Sequence, residues 1–289
     1  MSKPLLSIVM PSYNQVRFLR TSIESILEQS YSEVELIVSD GGSTDGSAAL
    51  LDEISKSDPR LTWWSEQDAG PAHAINKALS RVRGEYVGWL NSDDLYVAGA
   101  FKRAIDGFQN NPDWIMIYGH GEHIDATGSF LNRYPTQTPN VGMKGFQKGS
   151  FICQPTVFFK SVMLSLVGCL DQNLRTAFDY DLWLRAFSSF ADRIGFVDQV
   201  QAQSRLHADC ITQTSREVVA LEGLQLGLRY FGESQPHWAS TYLEELGWEL
   251  GADKSTFLAQ SEQFLQKASR YLSEQDKQGL RSAIQYIDR

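Results

Sequence analysis

The sequence predicts an α/β fold: a mainly parallel, mixed central sheet flanked by helices, followed by an α-helical C-terminal extension. Three observations support this fold class. Residues 6–118 alternate short apolar runs of strand length with segments whose apolar residues recur every three to four positions. Polar motifs follow three of the apolar runs, where the chain has to turn. From about residue 215 only the helical spacing continues.

The first half consists of repeated strand–helix–strand units. Strands are predicted at Leu6–Met10, Val34–Ser39, Leu61–Ser65, Tyr86–Leu90 and Trp114–Tyr118. Helices are predicted between them, at 16–30, 48–54, 72–82 and about 98–110. Strands joined through helices run parallel, and ligands bind beyond the carboxyl ends of such strands. The motifs PSYN, DGGSTDGS and NSDD occur at three of these ends, which predicts one shared site there.

The second half changes character. Its predicted elements are a hairpin around Thr127-Gly128 (122–134), a mobile loop (136–150), a strand (152–159), a helix opened by Asp179 and a strand (194–206) that ends near His207. After residue 215 we expect helices that pack on the main domain or on a second subunit. We therefore place a domain boundary after residue 212.

Composition and charge exclude several classes of protein. The chain has 26 Lys and Arg residues against 35 Asp and Glu residues, a formal net charge of −9. A nucleic-acid binder needs a basic face, so we expect no nucleic-acid partner. The three cysteines are far apart and have neither a CxxC pair nor zinc-binding spacing; they are Cys153, Cys169 and Cys210. We interpret them as thiols in a reducing compartment.

The sequence also lacks the pattern of a signal peptide or of a membrane-spanning helix. The apolar run at the N-terminus is short and ends at Pro11, and Phe151–Leu170 is interrupted by Gln154 and Lys160. We therefore expect a cytoplasmic protein. Peripheral association with the inner face of the plasma membrane is compatible with this location.

Asp93 and Asp94 follow the fourth predicted strand. Two adjacent carboxylates repel each other unless a cation lies between the protein and its ligand, so this pair indicates Mg²⁺ or Mn²⁺ held together with phosphate oxygens. The alternative is a helix N-cap, because Ser and Asp often precede a helix. Taken alone, the pair leaves both interpretations open.

Asp40 begins the motif DGGSTDGS after the second predicted strand. Its carboxylate can accept hydrogen bonds from a nucleobase N–H or a ribose hydroxyl, and the glycines allow a ligand close to the backbone. The alternative is a plain turn in which Asp45 or Ser47 caps the next helix. The motif has no EF-hand pattern, and the chain has neither GxGxxG in a strand–helix turn nor GxxxxGK[ST]. These absences argue against a calcium protein, a nicotinamide dehydrogenase and a P-loop NTPase.

Seven segments of the sequence resemble those of family 2 glycosyltransferases, which have the GT-A fold. They are SIVMPSYNQ, ELIVSDGGSTDGS, SEQDAGPAHAINKAL, GEYVGWLNSDD, ICQPTVFF, AFDYDLWLRAF and SRLHADCIT. They occur in the family's order from residue 6 to about 212. The resemblance implies a nucleotide-sugar half at about 1–120 and an acceptor half at about 121–212, with residues 213–289 as a helical extension.

The resemblance also implies the roles of individual residues. It assigns contacts with the nucleotide sugar to Pro11, Ser12, Tyr13, Asp40, Asp68, Gly70, Asn91, Ser92 and Gln154. It assigns Mn²⁺ or Mg²⁺ to Asp93, Asp94 and His207. Asn91 departs from the family pattern, which has an aspartate there. Its amide can still hydrogen-bond a hydroxyl but carries no charge, so we expect weaker affinity for the metal.

Asp179 matches the position of the family's catalytic base. Many members have Glu-Asp where this chain has Phe178-Asp179, so the aspartate is retained beside an apolar residue. Burial beside Phe178 is expected to raise the pKa of Asp179 towards a range suited to base catalysis. The alternative is an N-cap for the following helix, accompanied by an Asp181–Arg185 pair one turn apart.

The implied activity is an inverting transfer of a sugar from a nucleotide-diphosphate donor to an acceptor hydroxyl. UDP is the expected carrier, and the acceptor is a glycan, a lipid-linked molecule or a small molecule. We expect a role in polysaccharide or glycoconjugate synthesis, an acceptor-side lid at 136–150 and homo-oligomers formed through the C-terminal helices. Two alternatives stay open: a degenerate binding protein without turnover, which Asn91 and Phe178 would permit, and a sugar nucleotidyltransferase, which would need a phosphate loop that PSYNQVRFL lacks.

Overall fold

The computed structural model describes residues 3–251 and 253–287. The chain divides into two compact units. The first comprises Met1–Gly142 and Ser150–His207, and the second comprises Met143–Gly149 and Ala208–Arg289. Towards the C-terminus the first unit ends at His207, a few residues before the domain boundary predicted after residue 212. The functional division into donor half, acceptor half and extension stays a prediction.

The first unit contains a single mixed sheet. Its strands are β1 (Leu6–Ser12), β2 (Val34–Asp40), β3 (Leu61–Ser65), β4 (Tyr86–Trp89), β5 (Leu95–Tyr96), β6 (Met116–Ile124), β7 (Phe130–Arg133), β8 (Phe158–Lys160) and β9 (Ile194–Arg205). Within the described residues the order is β3-β2-β1-β4-β8-β6-β9-β5, and β7 pairs with β6. Strands β1 to β4 are parallel, whereas β8 is antiparallel to both of its neighbours. The predicted fold class, a mainly parallel but mixed sheet, is confirmed.

Helices connect these strands and continue through the second unit. In chain order they are α1 (Val16–Leu27), α2 (Ser47–Ser57), α3 (Pro71–Leu79), α4 (Ala100–Asn110), α5 (Gly142–Gly145), α6 (Met163–Val167), α7 (Phe178–Phe190), α8 (Ile211–Thr214), α9 (Arg216–Phe231), α10 (His237–Leu250), α11 (Lys254–Ala268) and α12 (Glu274–Ile287). The described helices include none that combines the length and the apolar character needed to cross a membrane.

The core of the first unit lies between the sheet and its covering helices. On α1 the buried apolar residues Leu19, Ile23 and Ile26 recur at helical spacing, so one face of the helix joins the core cluster that also contains residues of β1 and β2. All seven residues of β2 are buried, as expected for a strand covered on both faces. The apolar runs that predicted these strands are therefore the same residues that build the core.

Four predictions about local structure need correction. The predicted strand over 152–159 begins only at Phe158, because Pro155 cannot donate to a strand ladder and lies in a 3₁₀ turn over Gln154–Thr156. The segment predicted as a loop over 136–150 contains a 3₁₀ turn over Pro139–Val141 as well as α5. Helices α1 and α3 both end about three residues before their predicted ends. In contrast, the predicted hairpin is confirmed, and it is formed by β6 and β7.

A buried carboxylate, that of Glu35, lies near the amino ends of the parallel strands. Glu35 on β2 is 6% exposed, and its Oε1 accepts hydrogen bonds from Ser7 Oγ at 2.6 Å and from the Arg83 N–H at 2.9 Å. The Arg83 guanidinium forms an ion pair with Oε2. Burial alone would raise the pKa of Glu35, but the hydrogen bonds from Ser7 and Arg83 outweigh it and lower the pKa below its ordinary value of 4.5.

The second unit has its own apolar core. Buried residues of α9, α10, α11 and α12 form one cluster that includes Leu224, Leu243, Phe264 and Ile284. The segment Met143–Gly149 belongs to this unit. Within it, Gln147 Nε2 donates to Glu233 Oε1 at 3.3 Å, which ties the segment to the turn between α9 and α10.

Candidate functional site

The predicted site residues follow strands that end side by side. Ser12, the last residue of β1, lies in register with Asp40, the last residue of β2. On the other side of β1, Val9 is paired with Trp89, the last residue of β4. Asn91 lies two residues beyond the end of β4, so the structure brings three motifs that are far apart in sequence to one edge of the sheet.

The loops after β1 and β2 are held together by hydrogen bonds in both directions. The Asn14 N–H donates to Ser43 Oγ at 2.8 Å, and the Thr44 N–H donates to Asn14 Oδ1 at 2.8 Å. Asn14 adopts φ +52°, a left-handed conformation that asparagine tolerates better than most residues. The Val16 N–H at the start of α1 donates to Asp45 Oδ2 at 2.8 Å. The two loops therefore form one preorganised surface.

The carboxylate of Asp40 is buried and accepts four hydrogen bonds, three from its own loop and one from the end of β3. Its Oδ2 accepts from the N–H groups of Gly42 and Ser43 at 3.1 and 2.9 Å and from Ser65 Oγ at 2.6 Å. Its Oδ1 accepts from Ser43 Oγ at 2.5 Å. A carboxylate has about four acceptor positions, so Asp40 shapes the loop in this structure. The neighbouring Ser12 hydroxyl is buried and has no hydrogen-bond partner among the described residues.

Tyr13 and Asp68 flank Gly41. The Tyr13 side chain is 63% exposed. A Cβ at Gly41 would lie 2.7 Å from Asp68 Oδ2 and 3.3 Å from the Tyr13 ring, so a larger residue here would displace the Asp68 carboxylate. Asp68 Oδ1 accepts from the Gly70 N–H at 2.8 Å, and Gly70 has φ +120° just before α3. Three of the predicted nucleotide contacts are thus adjacent.

Asn91 lies in a network of hydrogen bonds at the end of β4. Its Oδ1 accepts from the indole N–H of Trp89 at 3.0 Å, and its Nδ2 donates to Gln154 Oε1 at 3.2 Å and to Asp94 Oδ2 at 3.4 Å. Gln154 Nε2 donates in turn to the Trp89 carbonyl at 2.8 Å. A carboxylate at position 91 would face Asp94 and the Gln154 oxygen, so these contacts suit an amide.

The two adjacent carboxylates have different environments. Asp93 is partly buried, and its Oδ2 lies 3.0 Å from His207 Nε2. Asp94 is 3% exposed, and its Oδ1 accepts from the Arg205 N–H at 2.8 Å. Burial, followed by the charge of Asp93, raises the pKa of Asp94 well above its usual range, although the Arg205 N–H and the Asn91 amide oppose this. Asp93 and His207 are therefore the better-placed pair of metal ligands.

The donor set formed by Asp93 and His207 fits a divalent cation. A carboxylate oxygen and an imidazole nitrogen are common ligands of Mn²⁺, and the two side chains belong to segments more than a hundred residues apart. A metal ion here would compensate the like charges of Asp93 and Asp94.

Sequence reasoning missed the groups around Phe18. The Phe18 ring lies 4.7 Å from the His207 ring and 4.9 and 5.0 Å from the guanidinium carbons of Arg205 and Arg17. Arg205 Nε also donates to the Asp93 carbonyl at 2.8 Å. The sequence signal for Arg205 was its position two residues before His207, but nothing in the local pattern of α1 pointed to Phe18 or Arg17.

Asp179 lies in the first turn of α7. The helix begins at Phe178, and its N-cap residue is Ala177, so the interpretation of Asp179 as the N-cap is wrong. Its Oδ1 accepts from the Tyr180 N–H at 2.7 Å. The Asp181–Arg185 pair that was part of that alternative is present at 2.8 Å. Asp181 is buried in this pair, which leaves Asp179 as the carboxylate to consider for base chemistry.

Phe178 connects the start of α7 with the end of β4. Its ring stacks on the Trp89 ring with 5.7 Å between centroids and 26° between planes. The structure therefore joins Asp179, through its neighbour Phe178, to the network that holds Asn91 and Gln154. Ser92 is buried, and its carbonyl accepts from Ser22 Oγ at 3.0 Å, which anchors the same loop to α1. Pro11 lies within β1, one residue before its end.

Comparison with known proteins adds a family and a fold. Residues 7–166, more than half of the chain, match the family model described as glycosyl transferase family 2. An uncharacterized glycosyltransferase of Rickettsia prowazekii is 29% identical over 220 residues, covering 73% of this chain and 67% of that protein. The chondroitin synthase of Escherichia coli is 29% identical over 185 residues, covering 63% of this chain and 26% of that protein.

Other relatives are much longer than the matched region. A glycosyltransferase of Rickettsia conorii is 30% identical over 218 residues, which cover 71% of this chain and 34% of that protein. The chain thus spans about a third of the length of this relative and about two thirds of the R. prowazekii protein.

Two solved structures have a similar fold. The crystal structure of S. aureus TarS 1-349 in complex with UDP-GlcNAc has a TM-score of 0.67 at 16% identity, covering 98% of this chain and 88% of that chain. The mannosyltransferase PcManGT from Pyrobaculum calidifontis, in complex with GDP-Man and Mn²⁺, has a TM-score of 0.60 at 18% identity, covering 98% and 80%. At these identities the likeness concerns the fold, which is the expected GT-A fold.

Proposed function

The chain belongs to glycosyl transferase family 2, and from that premise we propose that it transfers a sugar from a UDP-linked donor to an acceptor hydroxyl with inversion at the anomeric carbon. The observation that carries this proposal is the cluster at the carboxyl ends of the strands. It combines a candidate metal pair, Asp93 and His207 at 3.0 Å, with a carboxylate, Asp179, on a helix whose first residue stacks on Trp89.

The proposed donor site lies at the ends of β1 and β2. Tyr13 offers an exposed aromatic face for the nucleobase, and Pro11, Ser12, Asp68 and Gly70 surround it. Asp40 contributes by holding the loop, and it binds the nucleotide directly only if the ligand replaces one of its internal hydrogen bonds. The amide of Asn91 and the backbone around Ser92 face the ribose and sugar, together with Gln154. The donors named for the two similar structures, UDP-GlcNAc and GDP-Man, support a nucleotide sugar.

The proposed base is Asp179. It accepts the proton of the acceptor hydroxyl while that oxygen attacks the anomeric carbon from the side opposite the leaving group, which gives inversion. Transfer requires the acceptor oxygen, the carboxylate and the anomeric carbon to be held nearly in line, so the positioning of α7 matters as much as the basicity of Asp179.

Positive charge near the leaving group completes the proposed machinery. Mn²⁺ or Mg²⁺, held by Asp93 and His207 with Asp94 behind them, would supply charge that stabilises the departing diphosphate. The exposed guanidinium of Arg17, which packs on Phe18 beside His207, would add positive charge near the same diphosphate, whereas the guanidinium of Arg205 is buried and donates to the Asp93 carbonyl.

The cellular role and assembly follow as further proposals. The likeness to a chondroitin synthase supports a glycan acceptor and a part in polysaccharide or glycoconjugate synthesis. We place the enzyme in the cytoplasm or peripherally at the inner face of the plasma membrane, with 136–150 as an acceptor-side lid and the C-terminal helices as the surface for homo-oligomers. The family match disfavours a sugar nucleotidyltransferase. Asn91, which carries no charge, favours a non-catalytic binder as the second candidate.

The proposal is tested by thermal unfolding with UDP, GDP and dTDP, each with and without Mn²⁺. A nucleotide that binds only the folded protein at about 100 times its Kd stabilises it by about 3 kcal/mol. We expect UDP to raise Tm in the presence of Mn²⁺ and UMP to have a much smaller effect. Release of UDP from UDP-GlcNAc then separates an enzyme from a non-catalytic binder. No shift with any diphosphate would contradict the proposed donor site.

A further inference from the structure

Trp89 contacts both sides of the candidate site through two different parts of its side chain. It is 3% exposed at the end of β4. Its indole N–H donates to Asn91 Oδ1 at 3.0 Å, and its ring stacks on Phe178 at 5.7 Å. We infer that Trp89 is a positioning residue that sets the donor-side amide of Asn91 and the base-bearing first turn of α7 relative to each other. This inference rests on the proposed function.

The donor-side contact fixes the orientation of an amide. Asn91 can present either its oxygen or its nitrogen to a ligand, and rotation by half a turn exchanges the two. Because the indole group only donates, it selects the oxygen of Asn91 as its partner. The nitrogen of Asn91 is then directed to the acceptor atoms of Gln154 and Asp94. Without the indole N–H, Asn91 Oδ1 would lose its donor, and the orientation of the amide would depend on Gln154 and Asp94 alone.

The base-side contact fixes the start of a helix. Phe178 is the first residue of α7 and 7% exposed, and Asp179 follows it directly. A stacked pair of aromatic rings holds two surfaces at one distance and angle more firmly than an aliphatic contact does. Since Phe178 and Asp179 are neighbours in one helical turn, a shift of the Phe178 ring moves the Asp179 carboxylate with it.

Gln154 keeps Trp89 in place. Its Nε2 donates to the Trp89 carbonyl at 2.8 Å, while its Oε1 accepts from the Asn91 amide. Trp89, Asn91 and Gln154 therefore form a closed ring of hydrogen bonds in which each residue contacts the other two. Phenylalanine at position 89 could stack but not donate, and asparagine or glutamine could donate but not stack. Tryptophan supplies both contacts from one side chain.

The experiment separates the two contacts by substitution. Trp89→Phe removes the indole N–H and retains a ring for stacking, and Phe178→Leu retains apolar volume but removes the stack. Binding of UDP with Mn²⁺ is measured by calorimetry, and turnover by release of UDP from UDP-GlcNAc with water as acceptor. GDP and GDP-mannose are used in the same way if UDP does not bind. Trp63→Phe is the matched control, because the indole N–H of Trp63 on β3 also donates a hydrogen bond, to Ser55 Oγ on α2 at 3.3 Å.

We expect Trp89→Phe to weaken nucleotide-sugar affinity, seen as KM, about five-fold, the effect of one lost buried hydrogen bond, with kcat changed less. Phe178→Leu is expected to lower kcat about ten-fold with little effect on KM. Phe178→Tyr, which retains the stack, should keep kcat near that of the unsubstituted protein, and this comparison with Phe178→Leu holds even if Trp89→Phe does not fold. Trp63→Phe should change neither value.

Two sets of results would overturn the inference, and they are distinguishable from failure of the proposed function. In the first, the unsubstituted protein binds the donor and turns it over, but Trp89→Phe and Phe178→Leu change KM and kcat equally or change neither. This result would show that Trp89 has only a packing role. If the unsubstituted protein binds neither nucleotide, the proposed function is wrong and the inference falls with it.

Discussion

Buried carboxyl groups at the two ends of the parallel strands have pKa values that are shifted in opposite directions. At the amino ends, Glu35 has the Arg83 guanidinium and the Ser7 hydroxyl as partners, and its pKa is lowered. At the carboxyl ends, Asp94 accepts a backbone N–H and an amide group, lies beside the charge of Asp93, and has a raised pKa. Glu35 forms an ion pair with a guanidinium, whereas the Arg205 backbone N–H and the Asn91 amide that donate to the Asp94 carboxylate are neutral groups, and the Arg205 guanidinium donates to the Asp93 carbonyl instead.

We interpret this difference as a division between an end that stabilises the fold and an end where the proposed ligands bind. A carboxylate with its own cation contributes to the free energy of unfolding, as an ordinary buried ion pair does. Carboxylates without a matching cation cost stability and persist where a bound cation can compensate them. Substitutions at the carboxyl ends should therefore reduce function more than stability, and substitutions at the amino ends should do the opposite.

The largest effect is expected from Asp179→Asn. The amide has nearly the same shape but cannot accept a proton, so release of UDP from UDP-GlcNAc in the presence of acceptor or water should fall about 1,000-fold. Affinity for UDP with Mn²⁺ should stay unchanged in calorimetry, and Tm should change little.

Asp181→Asn provides the matched control two residues further along the same helix. Asp181 is 1% exposed and pairs with Arg185, so this substitution should lower Tm by breaking a buried ion pair. Turnover measured well below Tm should be affected far less than in Asp179→Asn. Equal turnover in Asp179→Asn and in the unsubstituted protein would exclude Asp179 as the base.

The second effect concerns the metal. Asp93→Ala removes the carboxylate that contacts His207, and the Mn²⁺-dependent part of UDP affinity should fall about 100-fold. The chain contains a matched pair elsewhere, since His120 Nε2 lies 3.0 Å from Asp198 Oδ1, with the aspartate 91% exposed. Asp198→Ala should leave the response to Mn²⁺ unchanged. A normal Mn²⁺ response in Asp93→Ala would place the metal at other residues.

The smallest effect is expected at the amino ends and concerns stability. Glu35→Gln should lower the free energy of unfolding by about 2 kcal/mol at pH 7, because hydrogen bonds to a charged group are lost. Glu33→Gln, which removes the same charge at an exposed position two residues earlier, should change it by less than about 0.5 kcal/mol. Turnover at low temperature should be close to normal in both variants.

The pH dependence of this effect has a definite sign. Because the pKa of Glu35 is lowered in the folded state, its contribution to stability is fully present above 4.5 and is lost as the pH falls through the folded value. The difference in unfolding free energy between Glu35→Gln and the unsubstituted protein should therefore shrink below pH 4.5. A difference that grows on acidification would show that Glu35 does not carry the ion pair described above.

Much of the fold could be predicted because its signals are local. The runs around Leu36 and Ile8 identify strands from their own residues, and the spacing of Leu19, Ile23 and Ile26 identifies a helix face. The two-residue strand β5 could not be predicted, since it exists only through its pairing with β9 more than a hundred residues later. The assignment of 143–149 to the second unit depends in the same way on contacts between distant residues.

For the site, the sequence indicated the residue types but not how their hydrogen bonds are distributed. The motif that contains Asp40 was correctly placed at a strand end, but the four internal hydrogen bonds of its carboxylate depend on the folded loop and on Ser65 from β3. The contacts of Trp89 with Asn91 and Phe178 could not be predicted, because they are set by tertiary structure. The roles of the predicted ligands stay predictions until the variants are measured.

The short segment Met143–Gly149 has a consequence for recombining such enzymes. It comes from the middle of the chain but folds with the C-terminal helices, where Gln147 bonds to Glu233. A chimera made by a single crossover near residue 208 would combine the C-terminal helices of one parent with the 143–149 segment of the other parent. Three crossovers, two that bracket 143–149 and one after residue 207, would keep the inherited partners together and give a functional hybrid more often.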